Sequence, residues 1–180
     1  DADNTLWLSG TGPVAGWINT RVWDETHDAQ KATGWTPFIL DTNGNGKRDE
    51  YTEPNQPLDP AKDRRINVAF YGVSPSRDGT VWGTSLGYPG YVVRLDPTKP
   101  NPSETALAEV YEVPAPAYGP RGMDIDTNNV VWVPMASGHL AAFDRRKCKV
   151  TSGPTIATGR HCPEGWTFYP FPGPALTGDT

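Results

Sequence analysis

Apolar positions in this chain come in short bursts that alternate with small or polar residues. Thr80-Val-Trp-Gly83, Tyr91-Val-Val-Arg-Leu95, Ala108-Glu-Val-Tyr-Glu-Val113, Val130-Val-Trp-Val133, His139-Leu-Ala-Ala-Phe143 and Trp166-Thr-Phe-Tyr-Pro-Phe171 are the clearest. Gly, Pro, Asn or Asp punctuates the ends of most bursts, so the pattern predicts short β-strands joined by tight turns. The longest apolar run, Val68-Ala-Phe-Tyr-Gly-Val73, has strand length. No run approaches the ~20 residues of a membrane span.

The bursts repeat. Aligning Trp82 with Trp132 lays Tyr71-Gly-Val-Ser-Pro-Ser-Arg-Asp-Gly-Thr-Val-Trp82 over Arg121-Gly-Met-Asp-Ile-Asp-Thr-Asn-Asn-Val-Val-Trp132. Downstream, Gly90-Tyr-Val-Val-Arg-Leu-Asp96 matches Gly138-His-Leu-Ala-Ala-Phe-Asp144, and Val113-Pro-Ala-Pro116 matches Phe171-Pro-Gly-Pro174. A third copy opens the chain, where Asp3-Asn-Thr-Leu-Trp7 mirrors Asp78-Gly-Thr-Val-Trp82. Each unit, roughly 50 residues long, reads as four strands. A small-residue strand near Gly72 or Gly122 leads through an Asp-Gly or Asn-Asn turn to the Trp strand. A third strand follows, then a fourth closed by Pro-x-Pro, which cannot continue a ladder. Such a unit buries its faces by stacking on its neighbours, which predicts an all-β chain of the β-propeller type with about three four-stranded blades.

The motifs Asp78-Gly-Thr-Val-Trp82, Val93-Arg-Leu-Asp-Pro97, Tyr111-Glu-Val-Pro114 and Gly119-Pro-Arg-Gly-Met-Asp-Ile-Asp126 resemble those of the virginiamycin B lyase (streptogramin lyase) propellers. They resemble the gluconolactonase-like propellers more loosely. The resemblance covers residues 66–176 well and 1–40 weakly. It implies a propeller fold and, in its enzymatic form, a His and a Glu acting with a divalent metal to break a C–O bond by proton abstraction. No His/Glu pair stands on matching strand positions of adjacent units. The channel-facing candidates are His139, Arg121 and Asp124, none carried over from the family's motif. Closed propellers hold roughly four to eight blades, so about three imply further blades from the same or another chain. The opening at Asp1, with no initiating Met or signal peptide, fits a processed product or a part of something longer.

Organisation follows from the repeat: a partial first blade over 1–40, an insertion over 41–66, blades over 67–117 and 118–176, and a tail at 177–180. The insertion opens Asp41-Thr-Asn-Gly-Asn-Gly-Lys-Arg-Asp-Glu-Tyr-Thr-Glu53. Ca²⁺ takes hard oxygen ligands, and a short loop converges them only through a sharp turn, here at Gly46. The expected calcium ligands are Asp41, Asn43, Asn45, the Lys47 backbone carbonyl, Asp49 and Glu53. The loop departs from the EF-hand form, whose last position is Thr52 here, and Phe38-Ile-Leu40 before it reads as a strand. An Asn/Gly turn that binds nothing is the other reading of the same residues. Arg64 and Arg65, at the end of the insertion, are a minor candidate for a small anion.

Composition narrows the function. The 180 residues include 19 Gly and 19 Pro, against helical bundles, and seven Trp, against disorder. Sixteen basic and 21 acidic residues give 16 − 21 = −5, which argues against a nucleic-acid surface. The two cysteines, Cys148 and Cys162, are spaced for a disulfide within the third unit, two free buried thiols being the alternative. With the calcium loop, a disulfide places the protein in an extracellular or periplasmic compartment. His27 reads as a loop residue and His161 as a structural neighbour of Cys162. Trp7, Trp82 and Trp132 read as packing residues; Trp17 and Trp23 are candidates for a contact surface toward a protein or carbohydrate. The expected function is a calcium-stabilised binding or assembly module, the alternative being a lyase- or lactonase-like enzyme completed by residues outside this chain.

Overall fold

The computed structural model describes residues 1–173. The fold is mostly β, in three sheets of which none is closed. The first holds β1 (Thr5–Leu8), β2 (Val14–Asn19) and β3 (Thr33–Pro37), antiparallel in that order. Between β2 and β3 lie two short helices, α1 (Thr20–Thr26) and α2 (Ala29–Ala32), which the strand pattern did not foresee. Their signals are the N-caps: Asn19 accepts the Val22 N–H, and Asp28 accepts those of Gln30 and Lys31.

The second sheet combines part of the insertion with the second repeat unit. The insertion supplies β4 (Ile39–Leu40), β5 (Tyr51–Thr52) and β6 (Asp63–Arg65). The repeat supplies β7 (Val73–Pro75), β8 (Val81–Ser85), β9 (Tyr91–Asp96) and, after a one-turn helix α3 (Pro102–Thr105), β10 (Leu107–Glu112). The order is β5-β6-β4-β10-β9-β8-β7, with β4 parallel to β10 through Leu40 and Ala108. Residues 39–40, assigned from sequence to the first blade, therefore extend the second sheet. The third sheet is a plain meander of β11 (Asp124–Ile125), β12 (Val131–Met135), β13 (His139–Phe143) and β14 (Trp166–Pro170). Both full repeat units thus form four consecutive antiparallel strands, the last three of each where the alternation placed them. Pro174 and the 177–180 tail lie outside the described residues.

The sheets stack face to face because their faces alternate. In the second sheet the rows Val81–Leu95–Ala108 and Gly83–Val93–Val110 face Trp7, Ala15 and Trp17 of the first. On its other face Trp82, Val92 and Tyr111 meet Val131, Val133, Ala141 and Phe143 of the third. Gly34 on β3 permits the first contact, since a Cβ there would lie 2.3 Å from the Trp17 ring.

The repeat extends to atomic detail in its turns. Asp1, Ser76 and Asp126 each stand six residues before the repeating Trp. Each carbonyl accepts an N–H three residues on, from Asn4, Gly79 and Asn129, and those three residues all have left-handed backbones with φ of +60°, +84° and +61°. Asp1 Oδ2 accepts the Trp7 indole N–H at 3.0 Å, and Asp126 Oδ2 accepts that of Trp132 at 3.1 Å. In the middle unit Thr80 Oγ1 accepts the Trp82 N–H at 3.2 Å and donates to Asp78 at 2.6 Å.

Candidate functional site

The insertion loop is organised around Asp41, which is buried at the end of β4. Its Oδ1 accepts the N–H groups of Gly44 (2.8 Å) and Asn45 (3.1 Å), and its Oδ2 accepts that of Gly46 (2.9 Å). Gly44 and Gly46 make this wrap feasible, with φ of +80° and +74°. Asn43 Oδ1 accepts the Asn45 N–H, and Asn45 Oδ1 accepts the Lys47 N–H at 2.8 Å. The side-chain amides of Asn45 and Asn43 both donate to Asp49 Oδ2, which holds the Asp49 carboxyl below the usual carboxylate range.

Asp41, Asn43, Asn45 and Asp49 are thus brought into one hydrogen-bonded loop, with the Lys47 backbone tied in through its N–H. Glu53 is not. It lies half-exposed and pairs with Arg65 at 3.2 Å. Arg64 donates to the Gln56 and Pro54 carbonyls, so both arginines brace the insertion.

Sequence reasoning missed Asp63. It is fully buried on β6, 14 residues past Asp49, and its Oδ2 accepts the Asp49 N–H at 2.8 Å. Its Oδ1 is buried with no hydrogen-bond partner. Burial pushes the Asp63 carboxyl above its ordinary range; the charges of Asp41 and Asp49 add to the shift, and the Asp49 and Asn43 N–H groups oppose it. The only hint in sequence was an Asp beside Arg64-Arg65 at the start of a β-burst. Among the described residues no three His, Cys, Asp or Glu side chains are gathered as a metal-holding group. Any cation here would draw on amide and backbone oxygens as well as carboxylates.

A second polar cluster seals the junction of the second and third sheets. Glu109 on β10 is buried and receives Arg94 Nη1 at 2.9 Å, Arg145 Nη2 at 2.7 Å and Arg145 Nε at 2.5 Å, together with the Tyr111 hydroxyl. Burial first, then the Glu109 charge, raises the Tyr111 phenol far above its usual value; the Glu109 hydrogen bond likewise raises the Arg145 guanidinium. A cavity of about 470 Å³ lies between this cluster and the loop, lined in part by Asp41, Asn45, Arg94, Lys99, Glu109 and Arg145.

The catalytic candidates do not converge. His139 starts β13, with Nδ1 3.1 Å from Ser137 Oγ and its ring edge-on to Phe168. Arg121 is exposed, and its carbonyl accepts the Thr84 hydroxyl. Asp124 is exposed on β11 and accepts the Ile125 N–H. No hydrogen bond or ion pair among the described residues joins these three. Of the aromatic candidates, Trp17 packs on Trp7 with ring centres 5.1 Å apart, whereas Trp23 is exposed on α1. His27 follows Trp23 at the end of α1. His161 packs on the Tyr111 ring, and burial lowers its pKa. Cys148 and Cys162 form a disulfide. No helix among the described residues is long and apolar enough to cross a membrane.

No protein-family model, curated protein or solved structure matches this chain.

Proposed function

We propose that this chain is a sector of a β-propeller, two full blades and part of a third, that works outside the cytoplasm as a rigid binding or assembly module. The observation that carries the reading is the recurrence of one turn and one Trp at Asp1–Trp7, Ser76–Trp82 and Asp126–Trp132, each leading into an antiparallel meander. The middle sheet is covered on both faces. The outer sheets each keep one apolar face open: Leu6, Leu8, Ile18 and Trp35 on the first, and Trp132, Pro134, Leu140 and Tyr169 on the third. Trp35 is 61 % exposed. Further blades, from this polypeptide or another, are the natural cover for such faces. The disulfide supports an oxidising compartment.

Native mass spectrometry of the purified chain tests this, together with hydrogen exchange on the outer strands. The expected result is a closed assembly, or association with added blades, that Tyr169→Asp and Leu6→Asp disrupt. A monomer that stays monomeric when concentrated, with both open faces exchanging freely, would count against it.

A further inference from the structure

Asp63 presents an orphaned carboxylate oxygen to an oxygen-rich loop. The residue is 0 % exposed, Oδ2 is bound to the Asp49 N–H, and Oδ1 makes no hydrogen bond, the Asn43 N–H acting on the carboxyl without hydrogen-bond geometry. An acceptor shut away from water without a partner is costly unless a cation meets it. No basic side chain of this region hydrogen-bonds or ion-pairs with Asp63. Arg48 feels the Asp63 charge but donates to Thr36 Oγ1 and the Ser103 carbonyl, Lys47 acts on Asp49 only through its charge, Lys62 pairs with Glu50, and Lys99 donates to the Gly46 carbonyl. Among the described residues, Asp41, Asp49 and Asp63 form no ion pair, although Asp63 lies within electrostatic reach of the other two.

We infer that Asp41, Asn43, Asn45 and the Lys47 carbonyl form a Ca²⁺ site completed by Asp63, with Asp49 beside it and Glu53 outside it. Every donor is oxygen and several are neutral, a set that suits a hard cation tolerant of irregular coordination and gives no purchase to metals that prefer nitrogen or sulfur. Asp41 Oδ1 is filled by two backbone N–H groups, whereas Asp41 Oδ2, Asn43 Oδ1 and Asn45 Oδ1 each accept one and keep a second lone pair. Through the sequence-distant ligand the ion acts structurally, tying the loop to β6. The loop in turn holds the third sheet's connection, since the Asp41 carbonyl accepts the Gly153 N–H at 2.8 Å. This inference stands apart from the blade reading, because it needs only the loop and β6.

Isothermal titration of the full chain with Ca²⁺ tests it, after treatment with EGTA. One ion per chain is expected, with a dissociation constant between about 10⁻⁶ and 10⁻³ M. Asp63→Asn keeps an acceptor for the Asp49 N–H and should weaken binding by about tenfold or more. Glu53→Gln should leave it unchanged. No uptake by the wild type at about 10 mM Ca²⁺ overturns the inference. So does undiminished binding by folded Asp63→Asn, or loss of binding in Glu53→Gln. A crystal structure of the wild type grown with Ca²⁺ asks the same question without a variant. An ion on Asp63 Oδ1 supports the site, and an ion held without Asp63, or none, refutes it.

Discussion

Glu109 and Asp63 are buried carboxylates of the same seven-stranded sheet, and the fold treats them in opposite ways. Glu109 is met on both oxygens by two guanidinium groups and a phenol, so its charge is compensated where it lies. Asp63 has one oxygen bound to a backbone N–H and the other bound to nothing, with two more carboxylates as neighbours. Burial alone does not distinguish a structural charge from a ligand. What distinguishes them is how far the surrounding chain has already satisfied the group. The Glu109 cluster is complete and works as cement between the second and third sheets. The Asp63 cluster leaves one buried carboxylate oxygen without a partner.

The largest effect that follows is on the cement. Glu109→Gln leaves Arg145 without its carboxylate, and Arg94 with Asp96 alone, in a site only partly open to water. Breaking a buried pair from one side costs about 3–5 kcal/mol. Equilibrium denaturation should show that loss, and a change below about 1 kcal/mol would erase the distinction between the two clusters. Next comes the cross-link between them. The segment from Cys148 to Cys162 starts just after Arg145 and carries Gly153 to the Asp41 carbonyl. Replacing both cysteines with Ser should cost about 3 kcal/mol by the chain-entropy account. Hydrogen exchange should quicken at Gly153 as well as around Arg145; quickening at only one end would separate the clusters mechanically.

How much of this was legible in the sequence depended on distance along the chain. The meander strands were read within a residue or two, because Val81, Trp82, Val92, Val93 and their counterparts alternate against turn residues that tolerate positive φ. The first small-residue strands were placed less well: the pairing begins at Val73 and Asp124, after Gly72 and Gly122. The third copy of the turn was recognised from Asp3, whereas the structural repeat starts at Asp1, six residues before the Trp like Ser76 and Asp126. The calcium-like loop was legible from Asp41 to Asp49 because its contacts are local. Asp63 was not, since its place beside Asp49 depends on β6 pairing with β4 and β5, a contact that no spacing rule encodes. Glu53 is expected because it stands one residue past the last EF-hand position, Thr52, and the fold gives it to Arg65.

A smaller effect tests the Asp63 side directly. In EGTA, Asp63→Asn removes a buried charge that has no cation, so it should stabilise the folded chain by about 1 kcal/mol, the opposite sign to Glu109→Gln. In Ca²⁺ the same substitution should lower the melting temperature, because the wild type binds the ion more tightly and gains more from it. Destabilisation of equal size in both conditions would make Asp63 a structural residue like Glu109.

The smallest effect concerns acid and sharpens the Glu109 side. Asp96 accepts from Arg94 at 3.4 Å, on the flank of that cluster. Burial works to raise its pKa, but the Thr98 hydroxyl and N–H, with Arg94, outweigh it and hold the carboxyl below its ordinary value. In that window the unfolded chain binds a proton that the folded chain does not. The stability Asp96 contributes is therefore complete above its unfolded pKa of about 4 and is lost as pH falls through the lower folded value. Asp96→Asn should flatten part of the acid limb of a stability-against-pH curve. Asp78, Asp126 and Asp144, also depressed, would account for much of the rest. Asp63→Asn should leave that part intact, because burial shifts Asp63 the other way. An Asp96→Asn curve that superimposes on the wild type would mean that Arg94 is anchored by Glu109 alone.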